Sequence, residues 1–500
     1  MKAKLLTILM VLLLWIGLSD TSRAQSPYWV RFIDKTVIQE QHDPYAIPIP
    51  EEYIQVINNM GISVIGTSRW LNLAMVEISR RQMKILQSLP CVKELRPVRE
   101  VQSKLAFIGS HDSDFGPLLD QQLNWFEYPM IKEKGLTGKG IRIAIFDGGF
   151  PGVNSHAAFR HLFEHDKIIA TWNFPENSSS VYRNHPHGTA VLSCITGNKE
   201  GKPSGLAPDA EFLLARTELD GEPWREQLFW IQAAEWAEKN GANIICSSLG
   251  YTFHHYFPEE MDGSSPVAEA ARIASEKGIL VINSIGNDGE SKWKIPGTPA
   301  DAVEVLSVGG IDPETGLKSS FSSFGPNASG QMKPNVVAPS KVLAATRDGW
   351  KVMHGTSFAT PLVAGYAACI WEMHPEMSNR DIFELIQFSG NLHPYYDYAH
   401  GYGVPQISKL IDLPKPSGAN NLIVHSKSGL IIVKTRGVPG QNPYLYYHLS
   451  DQTGRLLEYK VIDVRSGDQI GIDTKEYPNL SKIRIRYGTT VKSLTIKNEI

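Results

Sequence analysis

The sequence predicts an α/β protein: a parallel sheet with helices on both faces over residues 121–412, an α+β unit before it over 25–100, and a small β-sandwich after it over 413–500. Three observations carry this. Short apolar runs such as Ile141 to Phe146, Ile244 to Cys246 and Leu280 to Ser284 alternate with helical segments, as strands buried on both faces require. From Phe358 to Trp371 nearly every residue is apolar or small, so this helix has no wet face and has to cross the centre of a large domain. Both flanks change pattern, and 500 residues exceed one ordinary domain.

The chain opens with Met1-Lys2-Ala3-Lys4, an apolar run from Leu5 to Leu18, and Ser22-Arg23-Ala24, the pattern of a secretory signal peptide over residues 1–24. The run is shorter than the ~20 residues a membrane span needs, and no later run is apolar for long enough. Tyr28 to Phe32, Glu51 to Met60, Ile62 to Ile65, Leu71 to Ile78, Arg80 to Leu89 (capped by Ser79) and Val92 to Val98 read as βαββαβ, a ferredoxin-like order. Residues 101–120, with Ser110, Asp112, Gly116 and Pro117, read as a linker open to cutting.

Gly138-Lys139-Gly140 then leads into the strand Ile141 to Phe146, which ends at Asp147-Gly148-Gly149-Phe150. The carboxyl end of such a strand is where an open α/β sheet puts its chemistry. A helix is expected to start at His187 in His185-Pro186-His187-Gly188-Thr189-Ala190-Val191. Strands at Phe212 to Ala215 and Ile244 to Cys246 flank a helix from Trp224 to Lys239, and the second strand runs into Ser248-Leu249-Gly250. A helix from Ser265 to Lys277 closes on Gly278, and the strand Leu280 to Ser284 ends at Gly286-Asn287-Asp288-Gly289. Pro361 fits the core helix only in its first turn, where a backbone N–H has no partner to lose. After the linker Leu413-Pro414-Lys415-Pro416-Ser417-Gly418, β-rich segments at Leu422 to Val424, Leu430 to Val433, Leu445 to His448, Leu456 to Ile462 and Ile483 to Tyr487 compose the sandwich.

Composition narrows the chemistry. A net charge of −3 without a long basic block gives no footprint for nucleic acid. Cys91, Cys194, Cys246 and Cys369 lie scattered in apolar segments with no paired spacing, and read as buried thiols. His161 and His165 stand four apart and His185 and His187 two apart, yet no cysteine or glutamate completes a zinc set, so His156, His161 and His165 read as surface polar positions. In His354-Gly355-Thr356-Ser357 a hydroxyl sits at the positive end of the core helix, where N–H groups can meet a developing oxyanion. Taken singly, Ser357 reads as an N-cap, Asp147 as a turn residue, and Gly286-Asn287 as a turn.

Together they read differently. Gly355-Thr356-Ser357-Phe358-Ala359-Thr360-Pro361 resembles the nucleophile motif of the subtilisin-like serine proteases, and His185 to Val191 resembles their histidine motif, with His187 in the catalytic position. Asp147 completes the order Asp, His, Ser. Asn287 is similar to the asparagine that joins the Ser357 N–H in the oxyanion hole, and Ser248-Leu249-Gly250 resembles the segment that flanks the bound peptide. Further matches through Pro299 to Ala302, Phe321 to Pro326 and Lys333 to Pro339 extend the resemblance over roughly Leu136 to Ile407.

The resemblance implies a subtilisin-like peptidase domain over 121–412 and a secreted serine endopeptidase made as a zymogen. Residues 25–100 would be its inhibitory prosegment, polypeptides its substrates, and no cofactor takes part. Destinations outside the cell, at its surface or in the periplasm all fit. Relatives often hold structural calcium, but no acidic loop here identifies a site. One departure stands out: the family usually has Thr or Ser after the triad Asp, and this chain has Gly148. A pseudoprotease whose groove only binds peptides is the competing reading. An α/β-hydrolase esterase is disfavoured, because its acid and histidine follow the serine and its Gly-x-Ser-x-Gly elbow is missing. The C-terminal β-domain is weakly similar to Bacteroidetes secretion sorting domains, without their Gly-x-Tyr element near Leu480 to Ile483; sorting module and plain accessory domain both stay open.

Overall fold

The computed structural model describes residues 25–33, 43–99, 108–110, 116–219, 223–252, 255–411, 422–427, 429–435, 444–452, 455–464, 468–487 and 490–496. The expected signal peptide, most of the 101–120 linker and the 413–418 linker lie outside these residues.

The N-terminal unit is β1 (Ser26–Phe32), α1 (Glu51–Asn59), β2 (Val64–Ser68), β3 (Leu73–Ile78), α2 (Arg80–Gln87) and β4 (Val92–Pro97). Its antiparallel sheet runs β2-β3-β1-β4. Period-two alternation divides β1 cleanly: Val30 and Phe32 bury against Ile57 and Leu86 of the unit's own helices, while Trp29 points the other way. Ser79 caps α2 in a capping box with Gln82.

The central domain is built on seven parallel strands, β5 (Arg142–Asp147), β6 (Ile168–Asn173), β7 (Glu211–Arg216), β8 (Ile244–Ser247), β9 (Leu280–Ser284), β10 (Leu306–Ile311) and β11 (Val336–Pro339), in the order β11-β10-β9-β8-β5-β7-β6. β5 is buried on both sides. Ile143 and Ile145 enter one core with α3 (His187–Thr196) and α6 (Thr356–Met373). Ala144 and Phe146 enter the other with α4 (Pro223–Lys239) and α5 (Pro266–Glu276). That second core also takes in Trp29, Trp70, Leu71, Leu73 and Met75 of the N-terminal unit. Gly66 lets β2 approach α4 closely, since a Cβ there would stand 2.7 Å from Leu228.

Several elements depart from expectation. Strand β2 runs later than expected, to Ser68, because Ser68 Oγ reaches Glu235 of α4 at 2.6 Å. β6 is unanticipated: it is the edge strand, and its exposed Ile169 and half-buried Ala170 and Trp172 blur any core pattern. Within the expected linker, Ile108–Ser110 pairs with the strand Gly349–His354, and a helix at Gly116–Asn124 buries Leu118 and Leu119 against Leu343 and Val352. Pro361 sits in the second turn of α6, not the first. Of the thiols, Cys194, Cys246 and Cys369 are buried, while Cys91 is half-buried. His156 and His161 are half-buried and engaged, His156 Nδ1 accepting from Ala158 N and His161 Nε2 meeting Thr196 Oγ1 at 2.9 Å.

The C-terminal domain packs the sheet Leu422–Lys427, Leu430–Thr435, Gln469–Asp473 against the sheet Tyr444–Ser450, Leu456–Asp463, Lys482–Tyr487, Thr490–Thr495 around one apolar core, a β-sandwich as expected. It docks on α7 (Asn379–Ser389) through Arg484 to Glu384 at 2.5 Å and Arg486 stacked on Phe388.

Fully buried Lys333 fastens the loop between β9 and β10: its ammonium donates to Ala302 O at 2.5 Å and Val305 O at 2.6 Å, with Asn335 Oδ1 at 3.4 Å. Lys333→Met strips these carbonyls of their donor, and thermal denaturation should show a loss of about 2–4 kcal/mol of stability.

Candidate functional site

Strand order reverses around β5, whose neighbours are β7 and β8, so a crevice opens at its carboxyl end. Asp147 is the last residue of β5, His187 the first of α3, and Ser357 the second of α6. The sheet therefore gathers three residues that are far apart in sequence.

Asp147 is fully buried and His187 is 5% exposed. His187 Nδ1 lies 3.0 Å from Asp147 Oδ1 and 2.9 Å from Oδ2, while Gly148 N donates to Oδ1 at 2.7 Å. A backbone donor thus serves the carboxylate where a hydroxyl was expected next door. A carboxylate only accepts, so Nδ1 carries the proton and Nε2 is left as an acceptor. Burial opposes a charged imidazole, but the charge and hydrogen bond of Asp147, with a further contribution from Glu218, raise His187 above the ordinary histidine range.

Gly188 explains how α3 comes so near. A Cβ on it would stand 2.5 Å from Gly149 O and 2.9 Å from Asp147 Cβ, so only glycine lets the helix start against the strand end. Thr189 Oγ1 pins the same turn to Pro151 O at 2.9 Å.

Ser357 is 8% exposed. Its Oγ donates to Ser248 O at 3.3 Å, and Ser248 Oγ donates to Ser357 O at 2.8 Å. The second bond follows from Pro361. Having no N–H, Pro361 cannot bond the carbonyl four residues back, which is that of Ser357, and Ser248 supplies the donor. The His187 ring lies beside Phe358, with centroids 5.5 Å apart.

Asn287 Oδ1 accepts from Thr356 N at 2.9 Å and from Thr356 Oγ1 at 3.0 Å. The Thr356 N–H can only donate, which fixes the amide with its oxygen on Thr356 and Nδ2 on the other side. Nδ2 would lie 3.7 Å from a Cβ on Gly355, directly before the helix that carries Ser357. Ser357 N belongs to the first turn of that helix, whose N–H groups have no intrahelical acceptor.

Ser248, Leu249 and Gly250 continue β8 past the sheet. Leu249 O accepts from Asn283 Nδ2 at 2.8 Å, Tyr251 bridges to Thr298, and Gly250 is exposed with nothing within 4 Å of an added Cβ. Gly250 is thus the exposed residue of this strip, and Ser248 is the one tied to Ser357. All seven residues singled out from the sequence, Asp147, His187, Ser357, Asn287, Ser248, Leu249 and Gly250, thus meet at one end of the sheet. Sequence reasoning missed Glu218, just past the end of β7, and the hydroxyl role of Ser248. Glu218 carries no signal in the sequence, since only the pairing of β7 with β5 makes it a neighbour of Asp147.

The N-terminal unit docks on α4 and α5 beside this crevice. Glu235 of α4 accepts from Ser68 Oγ at 2.6 Å, Trp70 N at 3.2 Å and Arg69 Nε at 3.2 Å. Arg31 forks onto Glu269, at 3.0 and 2.5 Å. Past the sheet, Arg99 pairs with Glu260 at 2.6 Å and covers the Phe257 ring. Among the described residues no group of three or more His, Cys, Asp or Glu could hold a metal ion, and no helix is long and apolar enough to cross a membrane.

The family model of the subtilases, peptidase family S8, matches residues 138–403, just over half of the chain. The S8 propeptide domain of Bacteroidota matches residues 33–110. Among curated proteins, the thermostable alkaline protease of Halalkalibacterium halodurans is 27% identical over 353 residues, covering 69% of this chain and 86% of that protein. Subtilisin BL of Lederbergia lenta is 30% identical over 258 residues, 51% of this chain and 84% of that one. Among solved structures, fervidolysin of Fervidobacterium pennivorans, described as a keratinolytic enzyme related to subtilisin, superposes with a TM-score of 0.60 at 16% identity over 94% of this chain and 72% of its own.

Gly188→Ala should push α3 off the strand end and break the His187–Asp147 contact. The low-field Nδ1 proton of His187 reports this in NMR and should disappear while the protein stays folded by circular dichroism.

Proposed function

The chain belongs to the subtilase family, peptide-bond hydrolases with a propeptide, and from that premise we propose that it is an exported endopeptidase that cuts away its own prosegment with the triad Ser357, His187 and Asp147. The observation that supports this best is the buried contact of His187 Nδ1 with both oxygens of Asp147, which presents Nε2 as a base.

Ser357 Oγ leaves the Ser248 carbonyl by rotating about χ1 and gives its proton to His187 Nε2 as it attacks the peptide carbonyl carbon. Asp147 holds the imidazole and stabilises the imidazolium. The carbonyl oxygen becomes an oxyanion between Ser357 N and Asn287 Nδ2. His187 then protonates the leaving amine as the C–N bond breaks, giving an acyl-enzyme. Water, deprotonated by the same nitrogen, releases the acid and restores Ser357. The substrate backbone lies along Ser248-Leu249-Gly250. Residues 1–24 direct export, and no cofactor enters these steps.

The prosegment sheet ends at Pro97, and Ile108 is already paired to His354 in the peptidase domain. The bond whose cleavage frees the prosegment therefore lies between Arg99 and Ile108. Intact mass and N-terminal sequencing of secreted wild type and Ser357→Ala test the reading. Wild type should begin between residues 100 and 108 and the variant near Gln25; a variant processed like wild type overturns self-cleavage. Asn287→Ala should lower kcat by about 10²–10³ with little change in KM, because one oxyanion donor is lost. Steady-state kinetics on a chromogenic peptide would show it.

A further inference from the structure

The Asp147 end of the sheet holds a second carboxyl group that the triad does not use. In β7 the register sets Arg216 beside Asp147, and Thr217 N donates to Asp147 O at 3.0 Å. The next residue, Glu218, then runs alongside Gly148, its Cβ 3.8 Å from where a Cβ on Gly148 would stand. Glu218 is 5% exposed. Its Oε1 accepts from Thr217 Oγ1 at 3.0 Å and from Tyr251 OH at 3.4 Å, and its side chain is hydrogen-bonded to that of Glu226 from α4. Glu226 Oε1 in turn accepts from Leu219 N at 2.8 Å.

The groups around Glu218 are thus Asp147 from β5, His187 from α3, His185 just before that helix, which borders the same position 148, Glu226 from α4 and Tyr251 from the strip after β8. Arg216, on its own strand, directs its guanidinium to Gly148 O, Asn173 Oδ1 and Glu176 Oε1. Burying two carboxyl groups side by side costs stability that an apolar pair of similar volume would not. The cost falls beside the dyad, where a Cβ at position 148 would stand 3.0 Å from His185 Cβ and 3.8 Å from Glu218 Cβ.

We infer that Glu218 is a positioning residue: once ionised, its carboxylate acts on His187 across Gly148 and reinforces Asp147 in favouring the imidazolium that forms as Ser357 attacks. The inference rests on the triad reading above. Burial pushes the Glu218 carboxyl up to about 7; hydrogen bonds from Glu226, Thr217 and Tyr251 oppose this, and the charge of Asp147 adds to it. The sign follows. Below that range Glu218 is neutral and His187 has only Asp147; as pH rises through it, the added negative charge lowers the barrier to forming the imidazolium.

The test uses the protein as it stands after self-processing, with kcat and KM measured on a chromogenic peptide from pH 5.5 to 9.5 for wild type, Glu218→Gln and Glu218→Asp. Near pH 9, Glu218→Gln should lower kcat about fivefold with KM within about twofold, and the two enzymes should converge near pH 6. Glu218→Asp should restore most of the loss. NMR titration of His187 in full-length Ser357→Ala, with and without Glu218→Gln, needs no turnover and covers the case of a poorly processed variant. Its imidazole should titrate about half a unit lower without Glu218. Superimposable pH profiles, a loss equal at every pH, a change confined to KM, or an unmoved His187 titration each overturn the inference while leaving the triad intact. A wild type that hydrolyses no peptide overturns both.

Discussion

The arrangement depends on one buried hydrogen-bonded pair, His187 on Asp147. A carboxylate taken out of water has to be compensated by donors of good geometry. Here they come from His187, at the start of a helix set against the end of the central strand, and from the backbone N–H of Gly148. That strand is held from both sides: Ile143 and Ile145 press into the core of α3 and α6, Ala144 and Phe146 into that of α4 and α5. Because both layers are packed, Asp147 cannot drift. Because residue 188 is glycine, His187 can reach it.

The Ser357 side is governed by a similar economy of donors and acceptors. A proline in the second turn of α6 leaves the Ser357 carbonyl without its helical partner, and Ser248 takes up that acceptor while lending its own carbonyl to the Ser357 hydroxyl. Ser248, where the strip after β8 begins, is thereby tied to Ser357. Thr356, by donating twice to Asn287, decides which end of the amide faces the crevice. In both cases a neighbouring residue, rather than Ser357 or Asn287 itself, sets the orientation.

Much of this was legible in the sequence, for identifiable reasons. Strands buried on both faces leave unbroken apolar runs, so β5, β8 and β9 were visible, and with them the strand ends that carry Asp147, Ser248 and Asn287. The helix-start residues His187 and Ser357 stood next to glycines and apolar periodicity. The edge strand β6 was hidden because half of it faces outward, and the strand Ile108–Ser110 because its partner lies far along the chain. Pro361 was misplaced because local propensity knows nothing of a serine on another strand. Glu218 was invisible for a related reason: only strand order makes it a neighbour of Asp147.

The N-terminal unit shares an apolar core with the peptidase domain through Trp29, Trp70, Leu71, Leu73 and Met75, and wraps its Ser68 to Trp70 turn around Glu235. While the chain is continuous, these contacts form at the high effective concentration of a tethered pair, so occupancy does not depend on how much protein is present. Cutting the tether leaves every contact in place and changes only the entropy of holding the two parts together. Occupancy then follows mass action, and dilution alone tips the balance toward separation of the two parts.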